Sequence, residues 1–156
     1  MLNCNNKKII SFTDKTLQTN ILDKDLKEIS FKEVLEKYKG KTVMIDVWAS
    51  WCPDCVGGLP KVKEIQKKYP NVTYLFISVD KTPDSWKKGI EKYGVDGEHY
   101  FVNDGMKGVF GSSIKLDWIP RYMVISKEGS VDLYKATDAN DTRIEETIKI
   151  NEIVEK

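Results

Sequence analysis

The sequence predicts an α/β fold in which a central mixed sheet is flanked by helices. Two nearly all-apolar stretches of strand length, residues 42–49 and 72–79, are separated by a helical segment that begins near Pro53. Strands this apolar are typically covered on both faces, as in parallel sheets. The turn pattern at residues 127–130 separates two further strand-like runs, which predicts an antiparallel hairpin at one edge of the sheet.

The individual elements follow from local patterns along the chain. Ser30 and Glu33 form a capping-box pattern, which predicts a short helix that ends before Gly40. Thr82 and Pro83 are typical of the start of another helix. The other predicted elements are short strands at 9–12 and 19–22, a helix at 53–69, the end of the Thr82 helix at Tyr93, a strand at 98–102, a loop or single helical turn at 105–111, hairpin strands at 121–126 and 131–136, and an amphipathic helix at 141–154.

Length and charge limit the class of protein. The 156 residues fit a single domain, with an N-terminal extension at 1–29 and a core at about 30–155. Because 25 Lys and Arg residues balance 24 Asp and Glu residues, the chain lacks the basic footprint of a nucleic-acid binder. No window of eighteen uncharged apolar residues occurs, so no membrane span is expected. The first eight residues lack the apolar region of a signal peptide, so we expect a cytosolic protein or a processed form of an exported one.

Two of the three cysteines form the motif Cys52-Pro53-Asp54-Cys55, directly after the first apolar strand. If Cys52 is the N-cap and Pro53 the first helical residue, the free N–H groups and the dipole of the helix favour a thiolate at Cys52. Cys55 lies one turn further on, within reach of a short-loop disulfide. One thiolate can then attack a partner's disulfide, and the second can resolve the mixed disulfide.

The alternative interpretations of the motif are half of a zinc site or a pair of inert core thiols. A tetrahedral zinc site needs two more ligands, and besides carboxylates the chain offers only His99 and Cys4. His99 is expected to be an ordinary surface or edge-strand residue. Cys4 is a free tail thiol, a leftover of processing or a lipid-bearing cysteine. We prefer the first, because the residues before it form no convincing lipidation signal.

Three residues near the motif have predicted roles of their own. Asp46 lies inside an apolar strand, where burial would raise its pKa and suit it to accept the proton of Cys55. The alternative is that Asp46 lies solvated at a strand edge. Pro60 falls inside the helix pattern, which predicts a kink. Trp51, beside the first cysteine, is favoured as a contact surface for a partner protein.

The residues around this motif resemble the thioredoxin superfamily, whose members carry Trp-Cys-x-x-Cys after a buried strand. As in thioredoxins, Asp46 lies six residues before the first cysteine and Pro60 five residues after the second. Ile119-Pro120 resembles the cis-proline turn that faces the disulfide in that family. The resemblance implies a thioredoxin-like fold for most of residues 42–136.

The segment 80–120 is longer than in a plain thioredoxin by about one helix and one short strand. In this respect the chain is similar to the TlpA/ResA-like thiol–disulfide oxidoreductases of bacterial cell envelopes. The resemblance implies an N-terminal strand extension and an inserted helix and strand before the Pro120 strand. Two positions depart from the family pattern. Pro53-Asp54 replaces Gly-Pro, which bears on redox tuning, and Arg121 replaces the usual Thr, which bears on substrate preference.

The resemblance also implies an activity, namely thiol–disulfide exchange with protein substrates. Cys52 would attack, Cys55 would resolve and Asp46 would manage the proton. The implied substrate contacts are Trp51, Ile119 and Pro120, and the implied tuning residues are Pro53 and Asp54. No cofactor or metal is implied, because a reducing partner protein would supply the electrons. The protein is expected to be a monomer that acts as a reductant in the cell envelope or periplasm. The alternatives are a general cytosolic thioredoxin, or a redox-inert binding or metal-holding module.

Overall fold

The computed structural model describes residues 11–153, which form helices α1–α6 and strands β1–β7. In chain order the elements are α1 (Asp14–Gln18), β1 (Asn20–Leu22), β2 (Glu28–Ser30), α2 (Phe31–Lys37), β3 (Val43–Trp48), α3 (Pro53–Lys68), β4 (Thr73–Ser78), α4 (Pro83–Tyr93), β5 (Glu98–Phe101), α5 (Val109–Ser113), β6 (Arg121–Ile125), β7 (Val131–Ala136) and α6 (Thr142–Ile153). Along this part of the chain no helix is both long and apolar enough to cross a bilayer.

The strands form one mixed sheet in the order β2-β1-β5-β4-β3-β6-β7. β3 and β4 are parallel, as are β4 and β5, and α3 and α4 supply the crossover connections that parallel neighbours require. The remaining pairs are antiparallel, which confirms the predicted mixed sheet and its hairpin edge. β3 is therefore an interior strand, and its carboxyl end leads directly into α3.

Helix starts agree with the capping patterns of the sequence. The Ser30 hydroxyl accepts a hydrogen bond from the Glu33 N–H at 3.1 Å, and the Glu33 carboxylate accepts one from the Ser30 N–H at 3.3 Å. Thr82 caps α4 in the same way, accepting from the Ser85 N–H at 3.1 Å. Gly94 ends α4 with φ 58°, a left-handed conformation that costs glycine little.

Large aromatic side chains fill the space between the helices and the sheet. Phe31 of α2 packs edge-on against Phe110 of α5, with ring centroids 5.1 Å apart. Trp86 of α4 stacks on Phe101 of β5 at 5.2 Å. These rings are fully buried, so each removes a large apolar area from water.

Several sequence expectations change in the structure. α1 and β2 were not expected, and α5 is a short helix at the end of the segment predicted as a loop or single turn. The strand expected at 9–12 lies largely outside the described residues, and Phe12 is not in a strand. The last helix matches its prediction as far as residue 153, and residue 154 lies outside the described range. The prediction for His99 is wrong, since it is buried in β5 and stacks on Phe76.

Two adjacent glycines of α3 provide a test of how closely this helix packs on the sheet. A Cβ at Gly57 would meet nothing within 4 Å, whereas a Cβ at Gly58 would lie 2.7 Å from the Tyr122 hydroxyl oxygen and 3.2 Å from the Ala139 Cβ. We expect Gly57→Ala to stabilise the protein by about 0.5–1 kcal/mol through helix propensity. Gly58→Ala should be less stable than Gly57→Ala by about 1 kcal/mol or more, because crowding opposes the same gain. Urea unfolding of both variants measures the difference, and equal stabilities would contradict the close contact.

Candidate active site

The first cysteine of the motif lies at the junction of β3 and α3. Cys52 is the N-cap of α3, and its sulfur accepts a hydrogen bond from the Cys55 N–H at 3.2 Å. Its thiol also donates to the carbonyl oxygen of Ile119, with sulfur and oxygen 3.8 Å apart. Both cysteines are free thiols and both are buried. The helix end therefore stabilises negative charge on the Cys52 sulfur, as its N-cap position predicts.

A buried aspartate holds the turn that precedes Cys52. The Asp80 carboxylate accepts hydrogen bonds from the Ser50 N–H at 3.0 Å and the Ser50 hydroxyl at 2.7 Å. Its other oxygen accepts from the Ser78 hydroxyl at 2.7 Å. The carboxyl ends of β3 and β4 are thereby joined, and the Ser50–Trp51 turn has a fixed geometry. Buried polar groups satisfied in this way favour a single conformation.

Asp46 is buried in the middle of β3, with 2 % of its surface exposed. Within the described residues neither of its carboxyl oxygens has a hydrogen-bond partner. Burial therefore raises the pKa of Asp46 to about 8, because the charged form loses its hydration without compensation. The solvated alternative is excluded, and the carboxyl can exchange a proton near neutral pH.

Cys55 is the less accessible of the two thiols, at 1 % exposure against 5 % for Cys52. Burial raises the pKa of the Cys55 thiol far above its usual range, and the hydrogen bond with Cys52 and the charge of Asp46 raise it further. Cys55 is therefore held as a neutral thiol in the reduced protein. The two cysteines differ in environment in the direction that a division of labour requires.

An apolar groove opens beside the thiols. The Ile119-Pro120 peptide bond that precedes β6 is cis, as the resemblance implied. Trp51 and Trp118 are exposed to 59 % and 54 %, which is unusual for tryptophan. The groove encloses about 380 Å³ and is lined by Trp51, Cys52, Pro53, Asp54, Met106, Asp117, Trp118 and Ile119.

The comparisons with known proteins agree with this geometry. A sequence profile of a family described as thioredoxin-like matches residues 40–131, more than half of the chain. The chain belongs to the thioredoxin-like family. A Bacteroides vulgatus protein, provisionally described as a thiol–disulfide oxidoreductase, has a similar structure with a TM-score of 0.72, at 26 % sequence identity and with 93 % of each chain covered.

Curated relatives of this thioredoxin-like chain match over shorter segments. ResA, a thiol–disulfide oxidoreductase of Bacillus thuringiensis, is 27 % identical over 115 residues, which cover 71 % of this chain and 61 % of ResA. A protein of uncharacterized function from Haemophilus influenzae is 45 % identical over 49 residues, 31 % of each chain. The matched segments thus span less than two thirds of both relatives. The predicted resemblance to ResA-like oxidoreductases is confirmed at the level of the family.

Arg121, one of the positions that depart from the family pattern, does not line the groove, although its guanidinium lies 3.7 Å from the carboxylate of the groove residue Asp117. Its guanidinium is fully buried and donates hydrogen bonds to the carbonyl oxygens of Ile114 at 3.1 Å and Lys115 at 2.8 Å. It also lies 5.4 Å from the centre of the Tyr134 ring, a cation–π distance. In this thioredoxin-like chain, Arg121 therefore holds the segment that leads to Ile119.

The structure brings the predicted site residues together around the start of α3 and the Pro120 turn, with Asp46 beneath them in β3. Three further residues there were not singled out from the sequence, namely Met106, Asp117 and Asp80. Asp80 could have been found, because it lies two residues after the end of β4 and the carboxyl ends of parallel neighbours meet at one edge. A larger cavity of about 500 Å³ lies where β4 and β5 begin, and none of the predicted site residues lines it. Within residues 11–153, no three His, Cys, Asp or Glu side chains are grouped so as to hold a metal ion.

The burial of Asp46 makes a prediction for stability. Because its pKa is raised to about 8 in the folded state, against about 3.9 in an unfolded chain, folding binds a proton between these values. This contribution to stability is complete below about pH 4 and is lost as pH rises to about 8. Asp46→Asn should remove this pH dependence. The free energy of unfolding of the variant should therefore rise relative to that of the parent by up to about 1.4 kcal/mol for each pH unit across that window.

Urea unfolding of parent and Asp46→Asn at several pH values measures this difference. All other titrating groups are shared, so their contributions cancel in the comparison. Parallel stability curves between about pH 4 and pH 8 would contradict the raised pKa of Asp46.

Proposed function

We propose that this protein is a thiol–disulfide oxidoreductase that exchanges disulfides with protein substrates through Cys52 and Cys55. The observation that carries the proposal is the Cys52 sulfur at the N-terminus of α3, hydrogen-bonded by the Cys55 N–H and facing the Ile119 carbonyl. Family membership and the similarity to ResA support the same activity. Neither inert core thiols nor a zinc half-site needs a thiol placed on a helix end beside an apolar groove.

The exchange begins at Cys52. Its thiolate attacks one sulfur of the substrate disulfide, so that a Cys52–substrate bond forms and the substrate S–S bond breaks. The other substrate sulfur leaves as a thiolate and takes a proton from solvent. The N-terminus of α3 stabilises the attacking thiolate before the reaction and takes no part in the bonds that form and break.

The mixed disulfide is resolved by Cys55. The carboxylate of Asp46 accepts the proton of the Cys55 thiol, and the new thiolate attacks the Cys52 sulfur. The Cys52–Cys55 disulfide forms and the reduced substrate leaves as a thiolate. With its pKa near 8, Asp46 is a strong enough base to accept this proton and still ionises within the physiological range.

Trp51, Ile119 and Pro120 form the proposed contact surface for the substrate. Trp51 is exposed beside the thiols, and exposed aromatic residues are enriched among interface anchors. The carbonyl of Ile119 lies against Cys52, so an extended substrate segment bound along this turn would bring its own cysteine to the Cys52 sulfur.

The proposed setting is a cell envelope or periplasm, where the protein acts as a reductant. This assignment rests on the similarity to ResA-like proteins, and a reducing partner protein would return the disulfide to the dithiol. We propose that residues 1–156 form a single monomeric domain with its core at about 30–155. A general cytosolic thioredoxin would share the chemistry and differ in partners and location.

Reduction of insulin by the protein in the presence of dithiothreitol tests the activity. The parent should accelerate precipitation of the insulin B chain, and Cys52→Ser should behave like dithiothreitol alone. If the parent precipitated insulin no faster than Cys52→Ser, the protein would be a redox-inert binding module. Cys4→Ser serves as the background for both, because it removes the third thiol.

The division of labour between the thiols predicts a difference in trapping. In the Cys4→Ser background, Cys55→Ser should accumulate mixed disulfides with substrate proteins, because the attacking thiol remains and the resolving thiol is gone. Cys52→Ser should accumulate few, since Cys55 is more deeply buried and is held as a neutral thiol. Non-reducing gels compare the two variants, and equal trapping would contradict the assignment.

Pro53 and Asp54 are the proposed tuning residues. Pro53 starts α3 without an unpaired N–H, while the exposed Asp54 carboxylate opposes a second negative charge at Cys52. Asp54→Asn should therefore favour the thiolate of the reduced form and raise the reduction potential by tens of millivolts at most, since about 30 mV corresponds to 1.4 kcal/mol. The helix should lose about 0.3–1 kcal/mol of stability.

A second Pro-Asp pair in the chain provides the matched control. Pro83-Asp84 starts α4 as Pro53-Asp54 starts α3, and no thiol lies in its first turn. Asp84→Asn should cost slightly more helix stability than Asp54→Asn, because it also breaks the ion pair with Lys88, and it should leave the potential unchanged. Equilibration with glutathione buffers measures the reduction potential of the parent, of Asp54→Asn and of Asp84→Asn. A lower potential for Asp54→Asn, or an equal shift in Asp84→Asn, would mean that Asp54 does not tune the thiol through its charge.

A further inference from the structure

Tyr122 is a buried polar residue to which the proposed mechanism gives no role. Its side chain is fully buried in β6, and within the described residues its hydroxyl has no hydrogen-bond partner. A buried hydroxyl without a hydrogen-bond partner is destabilising, so a phenylalanine of the same shape would pack at least as well. The hydroxyl therefore calls for a reason other than packing.

The sheet register places Tyr122 directly opposite Asp46. The two residues pair across β3 and β6, and directly opposite side chains project from the same face of a sheet. Asp46 is the other buried group here whose oxygens have no partner among residues 11–153. Two unpaired polar side chains, one able to donate and one able to accept, thus lie side by side in the interior.

Helix α3 packs over these two side chains and carries Cys55 close to them. Gly58 lies one turn after Cys55 on α3, and a Cβ at Gly58 would lie 2.7 Å from the Tyr122 hydroxyl oxygen. Residues three apart share a face of a helix, so Cys55 also faces this part of the sheet. The hydroxyl, the carboxyl and the resolving thiol therefore share one interior region, and the absent side chain of Gly58 makes room for the hydroxyl.

We propose that Tyr122 is a positioning residue for the resolving step, its hydroxyl linked through one buried water molecule to the Asp46 carboxyl. A bridging water satisfies both groups, which are not in direct hydrogen-bond contact, and buried waters occur where polar groups converge in this way. This inference rests on the proposed role of Asp46 as the base for Cys55.

The proton count is simple. The proton leaves the Cys55 sulfur and ends on a carboxyl oxygen of Asp46, while Tyr122 and the water keep their own protons. Before transfer, the chain from Tyr122 through the water donates to the carboxylate. Afterwards the protonated carboxyl can donate to the water, so the same groups satisfy both states.

Other titratable groups near this pair are few. Cys52 and Cys55 face it from α3, and Asp138 acts on Tyr122 from the connection between β7 and α6. On the other side, Phe76 separates Asp46 from His99, which stacks on the Phe76 ring. Burial raises the pKa of Tyr122, and the charge of Asp46 raises it further. The hydroxyl therefore stays protonated and remains a donor at every pH at which the protein works.

The test is the pH dependence of the resolving step in Tyr122→Phe. The rate of the resolving step should rise with pH as Asp46 loses its proton, and this rise is the acid limb of the rate profile. A hydrogen bond to the carboxylate favours its charged form, so loss of the hydroxyl should move the acid limb upward by about one pH unit. Stopped-flow oxidation by saturating 2-hydroxyethyl disulfide, in the Cys4→Ser background, follows the step through the tryptophan fluorescence of the protein. Carboxyl ¹³C NMR should show the same upward shift in the titration of Asp46.

Two further variants separate this role from packing. Tyr74→Phe removes a buried hydroxyl that donates to Ile65 and Tyr69 at the far end of the sheet. It should lose stability and keep the parent's acid limb. Asp46→Asn should lose the limb, and adding Tyr122→Phe to it should change nothing more.

The outcomes are distinguishable. If Tyr122→Phe keeps the parent's acid limb while Asp46→Asn loses it, this inference is wrong and the proposed function stands. If Tyr122→Phe still slows exchange in the Asp46→Asn background, Tyr122 does not act through Asp46 and the inference is also wrong. If Asp46→Asn keeps the parent's limb, the proton role of Asp46 fails, and the role of Tyr122 fails with it.

Discussion

The burial of the Asp46 carboxyl, which has no hydrogen-bond partner among residues 11–153, is the constraint on which the site depends. An interior strand carries Asp46 into the core, where the cost of charging it raises its pKa to about 8. The same burial holds Cys55 neutral. Burial raises the pKa of both groups, so Asp46 is a stronger base toward the Cys55 thiol than a solvated carboxyl would be. A carboxyl solvated at the edge of the sheet would keep an ordinary pKa of about 3.9 and would be a weaker base.

The surrounding structure serves to hold this arrangement in place. Asp80 fixes the turn before Cys52, and Arg121 fixes the segment before Ile119, each with charged hydrogen bonds in the interior. Neither residue faces the groove. The first turn of α3 thereby places the Cys52 sulfur at the groove and the Cys55 sulfur deeper in the interior. Pre-organisation of this kind is what a reaction between closely placed groups requires.

Local patterns in the sequence predicted much of the fold, and tertiary contacts decided the rest. The capping box at Ser30 and the Cys52 N-cap depend on a few neighbouring residues, so both could be predicted. α1 and β2 could not, because each is very short. α1 also depends on a distant residue, through the hydrogen bond from the Thr16 hydroxyl to the Ser113 carbonyl. The burial of His99 likewise follows from packing across strands. The pairing of Asp46 with its neighbour in β6 required the register, which no local pattern contains.

The reduction potential of the Cys52–Cys55 couple is the most direct measurement of the central claim, that this dithiol donates electrons to substrates. Equilibration of the Cys4→Ser protein with glutathione buffers measures it. A reductant should have a potential near that of thioredoxin, about −270 mV. A value near about −120 mV would instead make the protein an oxidant, and failure of Cys52 and Cys55 to form a disulfide would contradict the proposed chemistry.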